Sequence, residues 1–436
     1  MTESVHCYLY PINYLEFIEC KMATSSCHSC ANPNCKLKHL LYPAIDNYIK
    51  EKGMCSTLQS CEIIDTDRLR RIGFGTFGTV YDLGNGATVV KVIRNEIFDK
   101  GGRELNKALE EFMREYNMWN YVCKENNDDE VFVNGKPFRK KIVECHGLRL
   151  HKISDAQSSG SRRRVGSDQT DSVYNETMLS LGIECDKMEY DLKNYIAKLI
   201  NTKSYGLKEV VKIMIQMVEN VSYLHEVNVL HNDIAMRNFL VDADDNVLIS
   251  DFGMTRKNHS FKNRFRSTKK TKDRNKQKRD IEYSYESIYQ RSYLDQSNQK
   301  RPFRWCAVEV LVPGPIFFTR ETDIYQLGCA LSEVVMHPKY HYRPFQKYSS
   351  MTEIIAVKNQ MALDILEYKE KLADPSFKVF RNIIMSMTQP IAEKRAKLDL
   401  VLHQCVAELI NLKVLHVFYF LFFAFFLIFR LREFVD

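Results

Sequence analysis

An α+β fold is predicted, mainly β in its first portion and mostly helical thereafter. Two observations carry this expectation. Between Leu69 and Ile93 two β-type runs surround glycines, and from about Leu207 onward apolar residues recur at helical intervals. The 436 residues, 45% of them hydrophobic, suffice for one large domain of two lobes or for two modest domains.

Taken in order, residues 1–65 are Cys-rich and too few to bury a large core without a metal or another staple. There "CHSCANPNCKLKH" brings Cys27, Cys30, Cys35 and His39 close enough to wrap one tetrahedral Zn²⁺, the competing reading being ordinary reduced thiols. No positively charged start precedes an apolar run, and the 13 cysteines form an odd, scattered set, so a reducing cytoplasmic compartment is expected.

From about Asp65 the character changes. Strand, strand, strand, helix is the order read over residues 69–119, the helix carried by Leu109, Phe112, Met113, Tyr116 and Trp119. "IVECHGLRL" and "TMLSLGIECDKM" give two further strands, separated by a Ser-rich, charged insertion. Helices follow in "LKEVVKIMIQMVENVSYLHEVNVL", "TDIYQLGCALSEVVM" and "AKLDLVLHQCVAELI".

Chemistry enters with "RRIGFGTFGTVYDLGNGATVVKVI". Gly73, Gly75 and Gly78 lie between β-type runs, the "GNG" turn makes a hairpin, and Lys91 lies in the strand that follows. Dinucleotide binding is disfavoured, because that motif needs its glycines to open a helix. A lid over a triphosphate is expected instead. A lysine near phosphates needs a carboxylate to hold it, and Glu115 is the expected partner, with Glu111 one turn earlier as the alternative.

In "HNDIAMRNFLV", Asp233 is placed to orient an acceptor hydroxyl and take its proton, while Asn238 supplies a hard oxygen for Mg²⁺. "ISDFGMTR" adds a second metal-ligand carboxylate, Asp251. Any one of these pieces alone is an ordinary turn or surface pair. Gly-rich loop, strand Lys, helix Glu, His-x-Asp with its Asn, and Asp-Phe-Gly occur here in a single order.

That conjunction resembles the protein kinase family, over roughly Asp65 to Leu412. The resemblance implies a two-lobed α+β kinase fold, with a small mainly β lobe at about 66–187, a larger helical lobe at about 190–412, and a linker near Asp186 to Met188. It implies ATP with Mg²⁺ (or Mn²⁺) between the lobes, contacted by Gly73, Phe74, Gly75, Thr76, Phe77, Gly78, Val80, Lys91, Asp186 and Met188. Ala235 and Arg237, in "DIAMRN", resemble the tyrosine kinase pattern, as does "RPFRWCAVEVL" with Pro302, Arg304 and Trp305. A non-receptor enzyme acting on tyrosine-containing proteins, itself included, is the implied function. A pseudokinase scaffold and a Ser/Thr kinase are the competing readings.

By the same resemblance Glu309 pairs with Arg395, and Asp323 braces the catalytic loop. Two positions depart from the pattern: Asn232 replaces an arginine, and Val308 a proline. Tyr293, nine residues before Pro302, and Tyr289 are the implied autophosphorylation sites, although Asn232 lacks the charge to grip a phosphate there.

The formal charge of +7 is concentrated in residues 262–279. That run reads as a solvated insertion or as a dock for an acidic partner or an anionic membrane. Nucleic acid is disfavoured, since only Phe261 and Phe265 offer nearby rings. Residues 413–436 form a tail whose apolar run, 414–429, is read as a short membrane anchor, against a groove-docked helix or translated non-coding sequence.

Overall fold

The computed structural model describes residues 63–74, 78–94, 97–98, 102–127, 141–152, 179–258, 303–312, 318–336, 342–365 and 377–412. Gly75, Thr76, Phe77, Cys27, Cys30, Cys35, His39, Tyr289, Tyr293, Pro302, the basic run 262–279 and the apolar run 414–429 lie outside the described residues. The chain divides into two compact units, the first holding described residues of 63–127 and 144–187, the second those of 141–143 and 188–412.

The first unit is a six-stranded sheet of β1 (Ile63–Ile64), β2 (Arg70–Phe74), β3 (Gly78–Asp82), β4 (Thr88–Ile93), β5 (Cys145–Lys152) and β6 (Leu179–Asp186), with helix α1 (Gly102–Asn127). Strand order is β1-β5-β6-β4-β3-β2, and only the β1–β5 pairing is parallel. The β3–β4 hairpin turns through Gly84 and Gly86 at φ 75° and 79°, a region that glycine enters without steric cost. Asn85 fixes that turn, its Oδ1 accepting from the backbone N–H of Ala87 and Thr88 at 3.0 and 2.9 Å. Gly182 in β6 is needed for close approach, since a Cβ there would stand 2.6 Å from Val90 Cγ2.

Helix α1 buries Leu109, Phe112, Met113 and Trp119 of the expected 3.6-residue stripe, and Leu105 besides, while Tyr116 is half-buried. Two boundaries differ from expectation. Ile63 and Ile64 pair with Leu150 and His151, so the sheet begins before residue 66. The expected strand from Ile142 starts only at Cys145, because Ile142 and Val143 belong to the second unit, where Ile142 bridges Ile249.

His151 in β5 is 1% exposed, and burial pushes it down from 6.5 to about 4 against the carbonyls of Lys152 and Leu181 that favour its charge. The unfolded chain therefore binds the extra proton first as pH falls, so stability is full above pH 6.5 and declines towards about 4. The loss expected from this residue is roughly 3 kcal/mol. Denaturant unfolding across that range checks it: His151→Phe should flatten the slope, and equal slopes would remove His151 as the cause.

The second unit is mostly helical. It contains β7 (Tyr190–Asp191), α2 (Leu192–Asn201), α3 (Leu207–Glu226), β8 (Val229–Leu230), β9 (Phe239–Val241), β10 (Val247–Ile249), β11 (Arg256–Lys257), α4 (Val308–Leu311), α5 (Arg320–Met336), α6 (Met351–Gln360) and α7 (Phe377–Met387). A further helix covers 398–412. The short strands pair as β10-β9-β7 and β11-β8.

Helix α5 is buried at every residue from Thr322 to Met336, as a central helix must be. Gly328 admits α7 closely, because a Cβ would lie 2.9 Å from Met387 Cβ. Helix α6 starts in a capping box of Ser350 with Glu353. The expected pairing of Arg395 with Glu309 is present and bidentate, at 2.6 and 2.9 Å, with the arginine side chain wholly buried. Among the described residues, no helix is long and apolar enough to cross a membrane.

Candidate active site

In the first unit, the alternation of β4 turns Lys91 to the sheet face that meets α1. There its Nζ lies 2.5 Å from Glu115 Oε1. Glu115 is the partner rather than Glu111, whose Oε1 is 3.9 Å from Lys107 Nζ on its own helix. Gly78 makes room for the lysine stem, since a Cβ would stand 3.1 Å from Lys91 Cε. Of the other expected nucleotide contacts, Val80 pairs with Lys91 across the strands and Gly73 with Val80. Phe74 is 59% exposed, with the Arg94 guanidinium 4.3 Å from its ring centre. Asp186 Oδ1 lies 2.8 Å from His146 Nε2, and Met188 begins the longer stretch of the second unit.

In the second unit, the loop after β8 is bound to helix α5. Asp323, fully buried in the first turn of α5, accepts from the backbone N–H of His231 and Asn232, both at 2.9 Å, and lies 3.1 Å from His225 Nε2. Gln326 Oε1 accepts from Ile234 N–H at 2.7 Å. These bonds hold Asn232 at φ 64°, a left-handed conformation unusual for a residue with a Cβ. The Asn232 amide also donates to the Met254 carbonyl at 3.1 Å, so a neutral group tethers the turn after Asp251.

Asp233 comes out of this loop with its carboxylate engaged twice, by Arg237 Nη2 at 2.5 Å and by Asn238 Nδ2 at 3.0 Å. Its side chain keeps 18% of its surface, yet the packing around it is dense enough that desolvation raises its pKa. Asp251 raises it further, while Arg237 and His231 oppose the shift.

Asn238 also gives its Nδ2 to the Asp233 carbonyl at 2.7 Å, which leaves its Oδ1 for a cation. Ser250 links the next element, its N–H and hydroxyl both donating to the Asn238 carbonyl at 2.9 and 3.0 Å. Asp251 follows immediately, at φ 65°. Among the described residues, no group of three His, Cys, Asp or Glu gathers to hold a metal ion. One carboxylate, Asp251, and one carboxamide, Asn238, suit Mg²⁺ nonetheless, because that ion keeps several waters and takes its remaining oxygens from phosphates.

The loop 303–306 stands beside this network. Trp305 Nε1 donates to Glu333 Oε2 at 2.7 Å, the Met236 N–H donates to the same oxygen at 3.3 Å, and the Arg237 guanidinium lies 5.7 Å from the Trp305 ring. Burial pushes Glu333 up to about 7 against those hydrogen bonds. Sequence reasoning missed Gln326, Glu333 and Lys358. No local pattern marks them, since their partners are 28 to 97 residues away.

A family profile described as "Protein kinase domain" matches residues 169–407, a stretch that includes Asp233, Asn238 and Asp251 but not Lys91 or Glu115. Discoidin domain-containing receptor tyrosine kinase B of Caenorhabditis elegans is 28% identical over 40% of this chain and 18% of its own length. Fer-related kinase 1 of the same organism is 21% identical over 49% of this chain and 44% of its own. A protein of Dictyostelium discoideum named as a probable serine/threonine-protein kinase, samkA, is 25% identical over 34% of this chain and 19% of its own. The chain thus spans less than half the length of each of these relatives.

Proposed function

The chain belongs to the protein kinase domain family, and from that premise we propose that it transfers the γ-phosphoryl group of ATP to tyrosine hydroxyls of protein substrates, itself among them. The observation that carries this reading is the Asp233 carboxylate held between Arg237 and Asn238, with Trp305 close to the same arginine. A carboxylate so fixed orients an acceptor hydroxyl and takes its proton. Arg237 four residues after the acid, and the ring of Trp305, support a phenol as the acceptor. Relatives named as receptor tyrosine kinases support it too.

In this reading Lys91, held by Glu115, orients the nucleotide phosphates, and Gly73 and Gly78 keep side chains away from them. Asn238 and Asp251 would hold Mg²⁺, which supplies neutralisation of phosphate charge. Tyr293 and Tyr289 are the proposed sites of self-transfer.

Purified protein given ATP, Mg²⁺ and a mixed peptide library tests the proposal. Phosphotyrosine is the expected product. Phosphoserine or phosphothreonine alone would replace the acceptor assignment, and no transfer would leave a scaffold.

A further inference from the structure

We propose that Lys358 is a positioning residue for the acceptor side of the reaction, its ammonium holding the backbone of residues 303–306 in the shape against which a substrate peptide docks. This rests on the transfer reading above, and deepens it.

Ile354 and Lys358 are one turn apart on α6, and both are wholly buried. Lysine is almost never buried so fully unless a carboxylate pairs with it. Among the described residues no carboxylate hydrogen-bonds this one. Its Nζ instead donates to the carbonyls of Phe303, Arg304 and Cys306 at 2.9, 3.0 and 2.5 Å. The rings of Tyr325 and Phe345 stand 5.0 Å from the same nitrogen. An ammonium has three N–H donors, and all three are committed to one short loop.

The loop is tied at its other points as well. Arg304 donates outward to the carbonyls of Pro344, Phe345 and Tyr348 at 3.3, 2.6 and 2.9 Å. Trp305 is held by Glu333, which also binds the Met236 N–H. Lys358 therefore fixes the carbonyls of 303–306 on one side, and this decides where Trp305 stands beside Arg237, the partner of Asp233. A methionine would fill the same space without the cost of burying an unpaired charge, so packing alone does not call for a lysine.

Burial also pushes Lys358 down to about 8, with Cys329, Cys306, Glu309 and Arg304 as the ionisable groups facing it. Cys329 is itself pushed up to about 12, and Tyr325 well above its usual value, so neither ionises in the same range. The clamp is complete below about pH 8 and weakens above it.

Two measurements on the full chain test this. Lys358→Met should raise KM for a tyrosine peptide about tenfold or more while KM for ATP stays within about twofold. In wild type the peptide KM should climb above about pH 8, and in the variant it should not. Equal rises in both KM values, or an unchanged peptide KM, would overturn the proposal.

The second measurement needs no catalysis. The chain has two tryptophans, so Trp119→Phe leaves Trp305 as the sole reporter. Its emission should shift with a midpoint near pH 8 while Lys358 is present, and that step should vanish in the double variant with Lys358→Met. Titration of Glu333 near 7 gives a separate step that Lys358→Met leaves in place. Absence of the step near 8 with Lys358 present overturns the clamp even if the double variant fails to fold. A wild type that labels no tyrosine but shows this step would sink the transfer reading and leave the clamp standing.

Discussion

Asp233→Asn is expected to lower kcat for phosphoryl transfer about a thousandfold, with the fold intact. The amide keeps the shape of the side chain, and its one oxygen still accepts from Arg237, while its NH2 meets the Asn238 amide donor to donor and loses that bond. It can no longer take a proton from a hydroxyl. A neutral group also relieves the desolvation that raises the carboxyl's pKa, which offsets the lost Asn238 bond, so little change in stability is expected. KM for ATP should change little, because Asp233 is assigned to the acceptor. Radiolabel transfer from ATP to a tyrosine peptide measures the rate, and thermal unfolding verifies the fold. A variant that retains a tenth of wild-type kcat would remove Asp233 from the proposed role. The direction of its pKa shift adds a corollary: the acid limb of the wild-type rate profile should fall at a pH above the ordinary carboxylate range.

Asp323→Ala should be the most damaging change to stability, at roughly 3–5 kcal/mol. The side chain has no exposed surface, and its loss strands two backbone N–H groups of the loop that carries Asp233 and frees His225. It also removes the bonds that offset the left-handed backbone of Asn232, and a negative charge from the first turn of α5, where the helix dipole favours one. At about 2 °C per kcal/mol for a folding unit of the second unit's size, the melting temperature should drop by roughly 6–10 °C. Transfer should fall with it, since Asp233 follows the two residues released. Calorimetry beside the peptide assay checks both, and a melting temperature within about 2 °C of wild type would contradict the bracing role.

Much of this arrangement was legible in the residues, and what was not has a common cause. Lys91 and Glu115 were readable because strand and helix periodicities set which way each side chain points. The choice of Glu115 over Glu111 follows from the same stripe: Glu115 is 6% exposed on the face that meets the sheet, while Glu111 serves Lys107 on its own helix. Asp233, Asn238 and Asp251 are neighbours through short connections, so their spacing carried their association. Asp323 and the Arg395–Glu309 pair were readable only through the family resemblance, and the geometry agrees with both.

Gln326, Glu333 and Lys358 were illegible because their roles come from tertiary packing. A lysine on an amphipathic helix reads as solvated, and nothing nearby in the sequence announces three carbonyls 52 to 55 residues earlier. The misplaced start of β5 has the same origin. Ile142 and Val143 have strand propensity and do extend, but the edge they find is that of β10.

That last detail bears on how the protein can be divided. Residues 141–143 close the outer side of β10, where Ile249 gives its N–H to the Lys141 carbonyl at 3.0 Å and accepts from Val143 N–H at 3.2 Å. A recombinant fragment cut at the apparent boundary of 188 would leave these groups bare on an apolar strand, an open template for self-association. The helical half is discontinuous in sequence, and soluble production of it calls for carrying that tripeptide along.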